Sequence, residues 1–198
     1  MGNFSRRTKW IVGFVVVVAA GYGLFKLVSG ESGVPQPFTD ARLQGAIIAQ
    51  NIVNASNQST ATLEQISTLD QKGDYKDALT LAEGLVAQSA DIRNQAVSLS
   101  SEISTMAQSL SGISNFTAQQ AALESISNRL ALLNELITYS SDLATLEATL
   151  AARFSGTQGT GAQVTTLVNQ INTDVNAINN FNSQAGQAMD RFDTIVGK

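Results

Sequence analysis

The chain contains no cysteine and no histidine among its 198 residues. It therefore cannot form disulfides, the usual cysteine or histidine zinc sites, or a nucleophile activated by histidine. A di-metal helical bundle would need Glu-x-x-His motifs, which this chain cannot supply. The carboxylates of the predicted helices, including Glu147, are dispersed, and we interpret them as solvated surface. We expect no metal, no other cofactor and no enzymatic activity.

Charged residues are scarce and unevenly placed. They make up 14% of the chain, whereas about 25% is typical of soluble domains. Four of the 12 basic residues lie at or before position 26, so residues 30–198 carry 8 basic and 16 acidic side chains. Because this part lacks a basic surface, we expect no binding to nucleic acid. Uncharged polar residues take the place of the missing charged residues. We favour the interpretation that they form an ordinary polar surface, and the alternative is that some of them contact a partner.

Proline is limited to Pro35 and Pro37, and no stretch alternates apolar and polar residues as a half-buried strand does. Residues 29–38 contain both prolines together with glycines, and we interpret them as a short linker. No proline interrupts the helical pattern beyond this linker. The sequence therefore predicts an all-α domain over residues 39–198.

One long apolar run lies near the N-terminus, at residues 10–28 (WIVGFVVVVAAGYGLFKLV). A helix needs about 20 apolar residues to cross the hydrocarbon layer, and the only charge in this run, Lys26, lies near one end. Three basic residues precede the run, and the positive-inside rule places such residues in the cytoplasm. We therefore predict a transmembrane signal anchor at 10–28, a short basic cytoplasmic tail at 1–9 and an extracytoplasmic body.

A cleaved signal peptide is the alternative interpretation of the same run. The basic residues ahead of it suit both interpretations, and small residues near Ala20 and Gly30 offer passable cleavage sites. The run is longer than the ~7–15 apolar residues of a usual signal peptide, so we favour a retained anchor. A cleaved signal would make the protein secreted, and both interpretations export the body.

Three interruptions divide the body into four long helices, at about 39–71, 74–112, 117–154 and 162–196. Gly73 suits a left-handed residue after the first helix, and Asp74 suits the cap of the second. The third helix has Ser114, Asn115 or Thr117 as its cap, and a glycine-rich linker precedes the fourth. Short connections make consecutive helices antiparallel. The predicted fold class is all-α, with a single transmembrane helix followed by an antiparallel (up-down-up-down) four-helix bundle.

Apolar side chains at alternating steps of three and four predict the inward face of each helix. For the first helix the face comprises Leu43, Ile48, Ile52, Ala55, Ser59, Thr62, Ile66 and Leu69. For the second it comprises Ala78, Ala82, Leu85, Ser89, Ile92, Ala96, Leu99, Ile103, Met106, Leu110 and Ile113. For the third it comprises Leu123, Ile126, Leu130, Leu132, Leu133, Leu136, Ile137, Leu143, Leu146, Leu150 and Phe154. For the fourth it comprises Val164, Val168, Ile171, Val175, Ile178, Phe181, Ala185, Phe192 and Ile195.

A row of four asparagines follows the apolar face of the fourth helix. Steps of three, four and three separate its members, Asn169, Asn172, Asn176 and Asn179. Such a row of amides could hydrogen-bond a partner helix, a peptide or a glycan, and it is our candidate partner-contact site. The competing explanation, which we consider stronger, is the polar flank of an ordinary amphipathic helix.

These observations lead us to expect a non-enzymatic, single-pass membrane protein of a prokaryotic cell envelope. Its bundle would be an interaction or structural module, and its contacts would be the membrane and a protein partner or a second copy of the chain. One alternative is a ligand-sensing or accessory ectodomain that signals through a membrane partner. The other alternative is a secreted helical protein. The sequence identifies no small-molecule ligand.

Overall fold

The computed structural model describes residues 33–157 and 159–197. Its elements in chain order are α1 (Gln36–Lys72), α2 (Tyr75–Ser109), a short 3-10 turn (Leu110–Gly112), α3 (Phe116–Phe154) and α4 (Thr160–Val196). No strand occurs in these two stretches. The prediction of an all-helical body with four long helices is confirmed.

The predicted anchor at residues 10–28 and the tail at 1–9 lie outside the described residues. Within the part of the chain that the structure describes, none of the helices is both long enough and apolar enough to cross a membrane. The anchor stays a prediction made from the sequence.

The first helix begins earlier than predicted, inside the segment at 29–38 that we interpreted as a linker. Pro35 precedes the helix in an extended conformation, and Pro37 lies in its first turn. Proline is tolerated there because the first N–H groups of a helix have no intrahelical partner. Phe38 follows, fully buried, with its ring centroid 5.3 Å from that of Phe192. These prolines therefore start the helix, and the prediction of a linker up to residue 38 was wrong.

Gly73 ends α1 and Asn115 caps α3, as the sequence predicts. Gly73 is left-handed (φ 79°), and its N–H and that of Asp74 donate to carbonyl groups in the last turn of α1. Asn115 caps α3, since its Oδ1 accepts from the backbone N–H groups of Thr117 at 2.9 Å and Ala118 at 3.2 Å. Asp74 occupies the cap position of α2 but makes no side-chain hydrogen bond to it. Its position was predicted correctly and its capping bond was not.

Consecutive helices pack side by side, and contacts between helix ends establish their directions. Arg42, near the start of α1, pairs with Asp193, near the end of α4. Tyr75, at the start of α2, stacks on Phe154, at the end of α3, with ring centroids 6.2 Å apart. The helices therefore run antiparallel in up-down-up-down order around a shared apolar core.

The inward face of the second helix agrees with the prediction. All of its predicted residues are buried except Leu110, which is half-buried. The fourth helix agrees almost as well, since only Phe181 and Ile195 of its predicted face are half-buried. In both helices a single apolar stripe made the choice of face unambiguous.

The first helix is rotated relative to the prediction. Ile52, Ser59 and Ile66 are buried as expected, and the other predicted positions are half-buried. The core instead includes several small and apolar residues beside them: Ala41, Gly45, Ala46, Val53, Ser56 and Leu63. The prediction followed a weakly apolar stripe, which could not define the direction of packing.

The N-terminal half of the third helix is where the prediction fails most clearly. Leu123, Leu130 and Ile137 were expected inside, but they are 54%, 48% and 45% exposed. The buried positions there include Ala121, Ala122, Ser125, Arg129, Leu132, Leu136 and Tyr139. Because α3 carries apolar side chains on more than one side, spacing alone does not show which side meets the core.

Two nearby positions on α2 test this description of the core. Leu99 is 4% exposed, whereas Val97 is 64% exposed. We expect Leu99→Asp to lower the free energy of unfolding by more than about 3 kcal/mol, because it buries an unpaired charge. We expect Val97→Asp to change it by less than about 0.5 kcal/mol. Melts of the full chain followed by circular dichroism would measure both, and similar melts for the two variants would contradict the assigned face.

Candidate functional site

The first and last helices meet without a connecting loop, and their backbones approach less closely than those of consecutive helices. We call this contact the α1–α4 seam. A buried ion pair closes the seam at one end, where Arg42 Nη1 and Nη2 lie 2.6 and 2.7 Å from Asp193 Oδ1 and Oδ2. Farther along the seam lies a cavity of ≈ 40 Å³.

Most side chains that line this cavity are apolar, and they come from all four helices. They include Ile52, Val53, Leu132, Leu136, Val175 and Ile178. Four polar residues complete the lining: Ser56, Arg129, Tyr139 and Asn182. An apolar pocket with a few convergent polar groups is the usual form of a small-molecule site.

Arg129 is the charged residue of the lining. It is 8% exposed, and its Nε donates a hydrogen bond of 3.3 Å to Ser125 Oγ. Among the described residues no carboxylate lies within 4.0 Å of its guanidinium nitrogens. Burial, together with the positive charge of Arg42, lowers the pKa of Arg129 to about 10. The guanidinium therefore stays charged at neutral pH without a counter-ion from these residues.

Tyr139 adds a neutral polar group to the same cavity. It is 2% exposed, and Ser56 of α1 lines the cavity with it. Burial raises the pKa of Tyr139 to about 12, and the negative charges of Glu147 and Asp174 contribute to the rise. The phenol therefore keeps its proton at neutral pH and can donate one hydrogen bond.

Glu147 of α3 is buried, which corrects its interpretation as solvated surface. It is 1% exposed, and its Oε2 accepts a 3.2 Å hydrogen bond from Ser89 Oγ of α2. Its Oε1 has no hydrogen-bond partner among the described residues. Burial raises the pKa of Glu147 to about 7, although the bond from Ser89 opposes the rise. The carboxyl group is thus partly protonated near neutral pH.

Asp174 of α4 is a second buried carboxyl group, 2% exposed. Its Oδ1 accepts a 3.2 Å hydrogen bond from Gln170 Nε2. Burial raises the pKa of Asp174 to about 6, and the charges of Asp142 and Glu135 add to the rise. The described residues nevertheless contain no group of three or more carboxylates arranged to hold a metal ion.

The asparagine row predicted on α4 borders the seam. Asn169 and Asn176 are exposed, and Asn172 and Asn179 are half-buried. The Oδ1 of Asn179 is buried, and within the described stretches it has no hydrogen-bond partner. The preceding residue, Ile178, lines the cavity. The row's role in contacting a partner stays a prediction.

The sequence analysis missed Arg129 and Tyr139, the polar residues that α3 contributes to the cavity. A signal was available, because Arg129 lies three residues before Leu132, and Tyr139 lies three after Leu136. A face drawn through these two leucines would have included both. An isolated arginine inside an apolar helix matches no catalytic motif.

An exposed apolar surface lies along the outside of α3. Four exposed apolar side chains repeat there every seven residues, and we call them the α3 row: Phe116, Leu123, Leu130 and Ile137. One helical turn from the row lie Gln120, Ser127 and Asn134, all exposed and uncharged. The row is therefore an apolar strip with uncharged residues one turn away, whereas exposed Glu124, next to Leu123, pairs with Arg191.

No protein-family model matches the chain, and comparisons with curated proteins and with solved structures give no match. The function proposed below rests on the residues and geometry of the chain itself.

The buried carboxyl groups predict how stability depends on pH. Folding raises the pKa of Glu147 from 4.5 to about 7 and that of Asp174 from 3.8 to about 6. The folded state binds more protons than the unfolded state in this window, so the stabilisation is complete below the unfolded values and is lost as pH rises through the folded ones. We expect a melting temperature at least about 3 °C lower at pH 8 than at pH 5, a shift that corresponds to ~1 kcal/mol.

Glu147→Gln isolates the larger of these two contributions, because it keeps the side-chain size and removes the ionisable group. Its melting temperature should exceed that of the wild type at pH 8 and approach it at pH 5. Glu64→Gln, at an exposed position of α1, is the matched control and should follow the wild type. If the melting temperatures of wild type and Glu147→Gln differed by the same amount at every pH from 5 to 8, the pKa of Glu147 would not change on unfolding.

Proposed function

We propose that this chain is a non-enzymatic, single-pass membrane protein whose extracytoplasmic bundle is an interaction module of a cell envelope. The observation that carries the proposal is the α3 row. Large apolar side chains aligned on the outside of a folded domain are typical of protein contact surfaces. Burying four of them against a partner removes apolar area from water, which drives association.

A second copy of the chain is the partner that we infer for the α3 row. Residues 30–198 carry twice as many acidic as basic residues, so two bodies repel each other over most of their surfaces. The uncharged positions Gln120, Ser127 and Asn134 beside the row remove that repulsion where two rows meet. Copies anchored in one membrane share their orientation, so a two-fold axis would bring each residue of the row opposite its equivalent.

Membrane attachment is supported by the length and apolar character of residues 10–28 and by the basic residues ahead of them. The proposed topology has a cytoplasmic N-terminus and an extracytoplasmic bundle. A secreted protein, released by signal cleavage, is the alternative that the same segment allows. A ligand-sensing ectodomain is a second candidate function, and the cavity at the α1–α4 seam is the observation that favours it.

Cysteine cross-linking tests the proposed self-association, because the chain has no cysteine of its own. We expect Leu130→Cys to form a disulfide-linked dimer in native membranes on mild oxidation, since equivalent positions face each other. Thr173→Cys, at an exposed position of α4, should stay monomeric. Adding Leu123→Asp to Leu130→Cys should lower the dimer yield, because it places like charges in the interface. Equal yields at positions 130 and 173 would exclude the α3 row as the interface.

Membrane attachment is tested independently by charge in the centre of the apolar run. Each arginine at the middle of a spanning helix costs about 2.5–3.5 kcal/mol of insertion free energy. We expect Val16→Arg together with Val17→Arg to shift the protein out of the membrane fraction, and the matched pair of leucine substitutions to leave it there. The mass of the native protein decides between the alternatives: an intact N-terminus in the membrane fraction supports the anchor, and a start near Glu31 in the soluble fraction supports secretion.

A further inference from the structure

We propose that the cavity at the α1–α4 seam is a binding site for a small organic monocarboxylate, whose carboxylate group pairs with the guanidinium of Arg129. This site does not depend on self-association through the α3 row. It would, however, give a sensing ectodomain the ligand-binding site that it needs.

The positive charge of Arg129 is not balanced by a carboxylate from the described residues. Arg42, Arg153 and Arg191 each pair with a carboxylate at 2.6 to 3.0 Å. Arg129 is more than nine-tenths buried, and its hydrogen bond to Ser125 comes from a neutral hydroxyl. A buried charge is stable only when it is paired or well hydrogen-bonded, so this guanidinium favours an anion that enters the cavity.

The geometry of a guanidinium matches that of a carboxylate. The planar guanidinium donates parallel N–H···O bonds to the two oxygens of a carboxylate, which adds geometric selectivity to the charge. Tyr139 and Asn182 line the same cavity, and the protonated phenol of Tyr139 can donate a hydrogen bond. The site therefore has one strong cationic contact and neutral polar groups around it.

The apolar lining and small volume of the cavity restrict the rest of the ligand. Cavity-lining residues beyond these polar groups are mostly aliphatic, such as Ile52, Leu136 and Ile178. A dianion would bring a second negative charge against apolar side chains, which is unfavourable. A cavity needs about 10–15 Å³ to hold one water. The ≈ 40 Å³ of this cavity therefore suits a ligand of only a few heavy atoms, such as a carboxylate with a short alkyl group.

The site is tested with propionate as the probe and the full-length protein purified in detergent micelles. A ligand-observed nuclear magnetic resonance titration at constant chloride concentration gives the Kd. We expect saturable binding of propionate and at least about tenfold weaker binding of succinate, the dianion comparator. Equal affinity for succinate, or no saturable propionate binding, would overturn the proposal. Competition by chloride as strong as that of propionate would also overturn it, since the site would then be selective only for charge.

Two variants locate the binding at Arg129. Arg129→Gln should raise the Kd for propionate at least about tenfold, whereas Arg93→Gln, at an exposed position of α2, should leave it unchanged. Ala49→Leu fills the cavity from α1 while Arg129 stays intact, and it should weaken binding by a similar factor. If Arg129→Gln does not fold, Ala49→Leu decides. Unchanged affinity in a folded Arg129→Gln or in Ala49→Leu would place the binding elsewhere and refute the proposal.

Discussion

A buried ion pair between Arg42 and Asp193 joins the first and last helices, which no loop connects. The two residues are 151 positions apart, and both nitrogen–oxygen contacts are shorter than 2.8 Å. Phe38 and Phe192 pack together nearby, so charge and ring contacts close the same end of the bundle. Losing one partner would leave a buried charge unpaired, at a cost of about 3–5 kcal/mol. Because this closure lies toward one end, α1 and α4 are held there, and the cavity lies farther along the seam.

The interior also holds ionisable groups that the fold leaves incompletely paired. Arg129, Glu147 and Asp174 are all nearly inaccessible to solvent, and each has a shifted pKa because burial disfavours its charge. An apolar core of the same shape would be more stable, since unpaired buried charges oppose folding. Perturbed ionisable groups concentrate at functional sites. The interior of the bundle, including the cavity that Arg129 lines, therefore gives up stability to keep these polar groups.

The helices were predictable to different degrees, and the reason lies in their patterns. The second helix has one apolar stripe, and its buried face agrees with the prediction except at Leu110, which is half-buried. The third has apolar residues on several sides, so Leu123, Leu130 and Ile137 were placed inside although they are exposed. In the candidate site, the asparagine row of α4 could be recognised from its regular spacing in the sequence. Arg129 was not recognised, although it lies three residues before Leu132, because an isolated arginine matches no catalytic motif.

The sequence by itself determined that the body is helical, how many helices it has, and where most of them begin and end. These features depend on local interactions, such as the left-handed conformation of Gly73 and the hydrogen bonds that Asn115 Oδ1 accepts from the N–H groups of Thr117 and Ala118. Only the tertiary structure decided which side of α3 is buried, which acid pairs with Arg42, and that Arg129 lines a cavity without a carboxylate from the described residues. Those outcomes depend on packing between helices far apart in the chain, which local periodicity does not specify.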